Sequence, residues 1–403
     1  MRGLTAAVHE VLDRRLLIAS PAPIAVALSG GGDSLALALI TADWAKAHGR
    51  SLLILTVDHR LRPESAAWTE ACATRAQRLG AAFQALYWDG EKPSTGLPAA
   101  ARAARHRLIA DAARAAGAKV VLMGHTASDR LEAAVMRGAG STTPSPREWG
   151  PSPAWPEGRG VFLLRPMLGE TRADIRAWLI ARGETWIEDP ANDDPRFARA
   201  RARAALTGDE TDKLTPPQDV AGLARAATDL AGGLALPRRA LQDAPQTFLA
   251  AACLCAAGAA RPPRGDRLGR LAEALGHDTH LTATLAGARI EADDHEVRFL
   301  RDMGRGGLAS LTLGAGGAGV WDGRFEITTE RQLTVQALAG HAAGLPPARR
   351  SALKALPAGA RGTLPFIVGE GSPLLAVISG VSVRPLALDR LRAASGLVDQ
   401  EPA

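Results

Sequence analysis

The sequence predicts an α/β fold: a Rossmann-like parallel sheet with helices on both faces, followed by a helical connector and a smaller α+β C-terminal region. Three observations carry that expectation. Short runs such as Ile24–Leu28, Ser51–Val57 and Lys119–Met123 are nearly continuous in apolar residues, as strands buried on both faces require. These runs alternate with longer segments of helical period, the pattern of strand-helix-strand units. The first run passes through Ser29-Gly30-Gly31-Gly32-Asp33-Ser34 into an apolar helical segment, so a glycine-rich turn joins a strand to a helix.

At 403 residues the chain is too long for one small core. We expect a first domain over 1–209, a helical linker domain over 210–280 and a C-terminal region over 281–403. Leu4, Val8, Val11 and Leu12 share one helical face and read as an opening helix packed on the sheet. The run LLIASPAPIAVAL follows Arg14 and Arg15, but Pro21 and Pro23 interrupt it, Glu10 and Asp13 precede it, and the glycine-rich turn follows at once. It is therefore not expected to be a signal peptide. No stretch is apolar for long enough to span a membrane. Cys72, Cys253 and Cys255 form no CxxC pair and no zinc spacing, so a reducing, cytoplasmic compartment and no structural disulfide are expected. Net charge is +6 and the isoelectric point near 9.8. Arginine supplies nearly all of the basicity, which suits a polyanionic partner and a compositional bias equally well.

The turn after the first strand has the makings of a phosphate cradle. Gly30, Gly31 and Gly32 let the backbone approach an anion, and the helix that follows directs its N-terminal N–H groups at it. Ser29 and Ser34 offer hydroxyl donors, and Asp33 offers a carboxylate to magnesium. The turn lacks the Gly-Lys of a Walker A loop and the third glycine of a dinucleotide fingerprint. SGGGDS instead resembles the pyrophosphate loop of the N-type ATP pyrophosphatases. That resemblance implies ATP, cut between its α and β phosphates.

The second strand ends in Asp58-His59, where ligands of parallel sheets bind. An Asp at a strand end is as often a cap as a ligand; here two strand ends point toward one ligand, and the adenosine half of ATP is expected beside Asp58 and His59. Pro63 opens a helix running to about Leu79, Phe83–Trp88 is a third strand, and Pro98–Ala116 a helix carrying Arg102, Arg105 and Arg107. The fourth strand, Lys119–Met123, leads into Gly124-His125-Thr126-Ala127-Ser128-Asp129-Arg130-Leu131-Glu132 and then Arg137-Gly138-Ala139-Gly140. If a helix begins there, His125, Asp129 and Glu132 share one face, turned toward the phosphate loop; a salt-bridge ladder is the plainer alternative. Pro144–Gly160, rich in Pro, Gly and Ser, is expected as a flexible excursion with Trp149 and Trp155 as hydrophobic anchors rather than base-stacking platforms. Val161–Met167 reads as a strand, Ala173–Ala181 as a helix, and Trp186–Asp193 as a loop before Arg196, Arg199, Arg201 and Arg203. That arginine run could bind phosphate or simply face solvent. Thr215 to about Ala260 is alanine-rich and helix-like. From about Leu281 short alternating segments such as Gly319–Ile327 read as strands joined by turns; Arg361, Arg384 and Arg390 there are basic and no more.

Taken together, SGGGDS, VDHRLRPES, ARAARHRL, GHTASDRLE with RGAG, RPML and WIEDPANDDPRFARARAR resemble, in order, the motifs of the tRNA(Ile)-lysidine synthases across about the first half of the chain. Departures are Ser128 for a usual Asp, Ala133 for Thr, His106 for Tyr and Ala200 for Asn. The resemblance implies an ATP pyrophosphatase catalytic domain over 1–209. It implies that ATP adenylates O2 of the wobble cytidine in a tRNA(Ile) with a CAU anticodon, and that free lysine then displaces AMP. It assigns catalysis to Asp33, His125, Asp129 and Glu132, with Asp33 for Mg2+ and Asp129 and Glu132 for the lysine ammonium. ATP would be held by Ser29, Gly30, Gly31, Gly32, Asp33, Ser34, Asp58 and His59, and tRNA by Arg105, Arg137, Arg199, Arg201, Arg203 and the C-terminal region. A homodimer is the assembly entertained. Two other readings stay open: a tRNA-thiolating enzyme of the same superfamily, for which the cysteine spacing is wrong, and an RNA-binding module without activity.

Overall fold

Alternation along each strand sorts its side chains to two faces, and helices cover both. The computed structural model describes residues 3–140, 145–189, 198–206, 220–263 and 266–403. The chain divides into two units, Met1–Pro216 with Val398–Ala403, and Pro217–Leu397. In the first unit the elements run α1 (Leu4–Arg15), β1 (Ile24–Ala27), α2 (Gly32–Ala47), β2 (Leu52–Asp58), α3 (Ser65–Arg78), β3 (Ala82–Tyr87), α4 (Leu97–Ala115) and β4 (Val120–Met123). There follow α5 (Ala127–Gly138), β5 (Trp149–Pro151), β6 (Phe162–Leu164), α6 (Arg172–Ile180) and α7 (Ala198–Ala205).

The sheet has the order β3-β2-β1-β4-β6-β5, parallel except for β5, which runs antiparallel to β6. Ile24, Val26, Ile54, Val120 and Leu122 pack on one face against Leu4, Val8 and Leu12 of α1, the apolar side of α2, and Ile175 and Leu179 of α6. Ala25, Leu53, Leu55, Val121 and Met123 pack on the other against Ile109, Ala112 and Ala113 of α4. The expected doubly covered parallel sheet is therefore present. Because β2 and β4 flank β1, the strand order reverses between β1 and β4, and ligands of such sheets bind in the crevice at that reversal. The glycine-rich turn after β1 and the His125–Glu132 stretch after β4 border the same crevice.

Two expectations about this sheet are corrected. Residues 145–160 are not a simple excursion but supply β5 to the sheet edge, where the missing N–H of Pro151 is tolerated. The strand expected over Val161–Met167 stops at Leu164, just before Arg165-Pro166 turns the chain. Trp149 stacks on Phe162 with ring centroids 5.0 Å apart and donates from Nε1 to the Val398 carbonyl at 2.7 Å, so it is an anchor.

The second unit begins with α8 (Ala221–Ala226), β7 (Thr228–Leu230), β8 (Gly233–Pro237), α9 (Gln246–Ala257) and α10 (Arg267–His277). The alanine-rich stretch read as helical thus contains two strands; Leu234 and Leu236 alternate inward onto Phe248, Leu249 and Ala252 of α9, a period the alanine content disguised. With β9 (Leu281–Leu285), β10 (Ala288–Ala292) and β11 (Glu296–Arg301) they form an antiparallel sheet ordered β7-β8-β11-β10-β9. β12 (Leu311–Leu313), β15 (Leu333–Ala337) and β16 (Pro365–Ile367) make a second sheet. A third is made by β13 (Ala318–Trp321), β14 (Phe325–Thr329) and β17 (Val381–Pro385). Helices α11 (Pro347–Lys354), α12 (Ala358–Arg361) and α13 (Ala387–Ala394) complete it. No helix among the described residues is long and apolar enough to cross a membrane.

Candidate active site

Gly30 takes φ of +84°, a region glycine enters without strain, and a Cβ there would come within 2.5 Å of Ile187 Cδ1. Ile187 N donates to the Gly30 carbonyl at 2.9 Å, so the Trp186-Ile187 segment packs on the turn. Helix α2 begins at Gly32 with Gly31 as N-cap and no side-chain cap. The first N–H groups of a helix have no intrahelical acceptor, which suits this end to an anion. Ser34 Oγ accepts from Ser29 N at 3.1 Å, donates to the Gly31 carbonyl at 2.9 Å and lies 3.0 Å from Ser29 Oγ. The buried Ser34 hydroxyl thus shapes the turn, while Ser29 is exposed. A Cβ on Gly124 would meet Ser34 N and Cα at 2.9 Å; only glycine lets the end of β4 come this close to the first turn of α2.

Across the crevice, Asp129 in the first turn of α5 accepts from Thr126 N at 2.8 Å and from Thr126 Oγ1 at 3.1 Å, which fixes its carboxylate at the helix start. Glu132, one turn on, is fully buried. Arg172, the first residue of α6, reaches all the acids: its Nε donates to Asp33 Oδ2 at 3.1 Å, Nη1 lies 3.4 Å from Glu132 Oε1, and Nη2 lies 3.9 Å from Asp129 Oδ2. Arg203 of α7 donates from Nε to Glu132 Oε1 at 2.9 Å. Among the described residues, Arg172 and Arg203 thus tie these carboxylates into one charged cluster. Burial pushes the Asp33 carboxyl above its usual range and Arg172 pulls against that. Burial works against the charge of Arg172 too, but Asp33, Asp129 and Glu132 hold it above the ordinary guanidinium range.

A basic group lies at the ends of β4 and β6. Arg165 Nε donates to His125 Nδ1 at 3.2 Å and its Nη1 to the Arg147 carbonyl at 2.8 Å, with the Arg165 and His125 side chains buried. Burial, then Arg102, lower the Arg165 guanidinium to about 10. His106 on α4 is pushed down to about 2 by burial first and then by Arg105, Arg102, Arg165 and His125, so it is neutral. His59 is lowered by burial and by Arg105, and stands edge-on to Trp88 with centroids 5.8 Å apart. Asp58 Oδ1 accepts from Arg60 N at 2.7 Å, which shapes the turn after β2. Asp58 also lines an open cavity of about 540 Å³ with Arg60, Leu61, Arg62, Pro63 and Tyr87; His59 does not.

Of the residues singled out from sequence, the Ser29–Ser34 turn, Asp129, Glu132 and Arg203 come together, and Arg105 stands near His59 and His106. Arg137 and Arg201 are exposed. The side chain of Arg199 lies outside the described residues, as do Asn192, Asp193 and Arg196. Sequence reasoning missed Arg172. Its signal was position: it directly follows Thr171, whose side chain caps α6 by accepting from Asp174 N. Arg165, within RPML, carries no local signal of a role.

A PP-loop domain is matched over residues 5–210. The chain is 51% identical to the tRNA(Ile)-lysidine synthase of Caulobacter vibrioides over 98% of each chain. It is 34% identical to that of Rhizobium meliloti over 79% of this chain and 77% of the relative. It is 36% identical to that of Hyphomonas neptunium over 67% of this chain and 79% of the relative. The likeness first visible in motifs of the first half thus extends through the second, and the chain belongs to the tRNA(Ile)-lysidine synthase family, built on a PP-loop domain.

Proposed function

We infer that the chain ligates free lysine to the wobble cytidine of a tRNA(Ile) with a CAU anticodon, using ATP and releasing AMP and pyrophosphate. The observation that carries this reading is the convergence of Asp33, Asp129 and Glu132 on one point beside an uncapped helix start. A triphosphate needs the helix start and backbone N–H groups; an ammonium, a compact and strongly hydrated charge, needs carboxylates nearby. A relative of that name, matched over 98% of each chain, supports the same conclusion.

In the reaction the cytidine O2 bonds to the α-phosphorus as pyrophosphate leaves. The ε-amino nitrogen of lysine then bonds to C2, the C2–O2 bond breaks, and AMP departs with the oxygen. The turn from Ser29 to Ser34 holds phosphate, with Asp58 and His59 toward the adenosine. Asp129 and Glu132 attract the ammonium, which sheds a proton before it attacks. Magnesium takes one or two carboxylates together with phosphate oxygens and water; Asp33, partly exposed and sharing Arg172 with Asp129, fits that donor set. Bound there, the ion would offset charge on the phosphates. Arg105, Arg137, Arg199, Arg201 and Arg203 are assigned to the tRNA, with the region beyond 281 supplying further phosphate contacts. A cytoplasmic location follows from that substrate. A homodimer is carried forward as a proposal, for which sedimentation of the full chain is the check.

AMP release in the presence of tRNA and ATP tests the reading. Strict dependence on lysine is expected. Dependence on a sulfur donor would instead favour the thiolating enzyme, and no AMP under either condition would favour a binding module.

A further inference from the structure

We propose that Arg165 is a positioning residue that holds His125 as the neutral Nε2–H tautomer, so that His125 serves the reaction as a hydrogen-bond donor and not as a base. The proposal rests on the reading above for the reaction itself, but its geometric half stands alone. The parallel register Leu122↔Leu164 carries Arg165 to the end of β6 beside the end of β4, two residues short of His125. There Arg165 Nε approaches His125 Nδ1 at 3.2 Å, and a second donor, Nη1, is fixed by the Arg147 carbonyl at 2.8 Å. The Arg165 backbone is held as well, its N–H donating to the Glu148 carbonyl at 2.8 Å.

A guanidinium has five N–H donors and no acceptor. Even lowered to about 10, Arg165 stays charged at neutral pH, so this hydrogen bond has one direction. Nδ1 of His125 must accept, which leaves it without a proton and puts the ring proton on Nε2. The imidazolium would need a proton on Nδ1 aimed at a cation. Among the described residues, His106 is neutral, Arg102 and Arg105 put positive charge around His106, and Asp129 is the acid that faces Arg165. The only basic nitrogen of the neutral ring is thus covered by Arg165, and what His125 can offer a substrate is an N–H. A donor of this kind, aimed at an oxygen where negative charge grows, contributes rate through fixed electrostatics and needs no proton transfer.

Nitrogen NMR of the full chain labelled at its 9 histidines reads the tautomer directly. The His125 signals are assigned by their loss in His125→Gln. We expect a neutral ring with Nε2 protonated at pH 7, and an Nδ1–H population appearing in Arg165→Met but not in Arg165→Lys, which keeps a donor. In AMP formation His125→Ala should lose on the order of 10²–10³-fold in kcat. His125→Gln, whose amide N–H sits near the Nε2 position, should recover most of that loss, and His125→Asn should not. Arg165→Met should gain an acid limb in its pH-rate profile that wild type and Arg165→Lys lack. An imidazolium or an Nδ1–H ring in the wild-type chain would overturn the proposal without touching the assigned reaction, and needs no variant to fold. The expected tautomer with full activity in His125→Ala would overturn the role of His125 in the reaction.

Discussion

Arg172 Nε donates to Asp33 Oδ2 at 3.1 Å, and this one contact ties the first turn of α6 to the first turn of α2. The guanidinium stands where a cation could meet Asp33, Asp129 and Glu132 at once. On the magnesium role proposed for Asp33, an ion there would compete with Arg172 for the carboxylate.

Arg172→Met should therefore lower the Mg2+ concentration for half-maximal AMP formation by on the order of tenfold, the worth of about 1.4 kcal/mol of lost competition. The maximal rate should fall, because the three carboxylates then repel one another. Titrating Mg2+ against both chains is the measurement; an unchanged or higher requirement would mean that Arg172 and the ion do not compete.

Glu132 accepts from Arg203 at 2.9 Å and stands 3.4 Å from Arg172. Glu132→Gln should raise the KM for lysine far more than that for ATP, and cost about 1.5–3 kcal/mol of stability as charged hydrogen bonds weaken. Arg203→Ala should act on the same contact, so the double variant should lose less than the sum of the two. Strict additivity in lysine KM would separate Arg203 from the lysine site.

His106 supplies a pH prediction. Its folded pKa, about 2, lies far below the ordinary histidine value, because burial and the surrounding arginines oppose a charge. The unfolded chain takes up a proton near pH 6.5 and the folded chain does not. Stability is thus complete above about pH 6.5 and is lost as pH falls below it toward the folded pKa, by up to about 1.4 kcal/mol per pH unit. His106→Tyr should flatten the fall between pH 6 and 4 by that slope. Urea unfolding at three pH values decides it, and equal slopes for both chains would refute the assignment.

Much of the first unit was legible in the sequence, for identifiable reasons. Strands apolar on both faces announce a covered parallel sheet, and Gly30 and Gly124 are residues whose positions leave no room for a Cβ. The partners of the acids were not legible, since Arg172 and Arg203 come from separate helices and nothing local to either says which carboxylate it meets. The strands β7 and β8 were hidden because they are only 3 and 5 residues long and sit among alanine-rich helical segments. The place of the last residues was not legible either. Glu401, almost at the end of the chain, pairs with Arg50 at 2.9 Å within the first unit, both side chains no more than 2% exposed.

A chain cut at the expected boundary after Asp209 would lose that pair. Removing the last residues strips a buried guanidinium of its partner, which costs about 3–5 kcal/mol. Glu401→Ala should show that loss in urea unfolding, whereas Glu370→Ala, which breaks the exposed pair with Arg331, should cost no more than about 1 kcal/mol. Comparable losses in the two would show that Glu401 is not a structural part of the first unit.

The account is tested most directly by digesting to nucleosides a CAU-anticodon tRNA(Ile) incubated with the full chain, ATP, Mg2+ and lysine, and weighing the products. It predicts lysidine at the wobble position in step with AMP, and neither product with Asp33→Ala although that variant still binds the tRNA. AMP without lysidine, or an unmodified cytidine after complete ATP turnover, would contradict it.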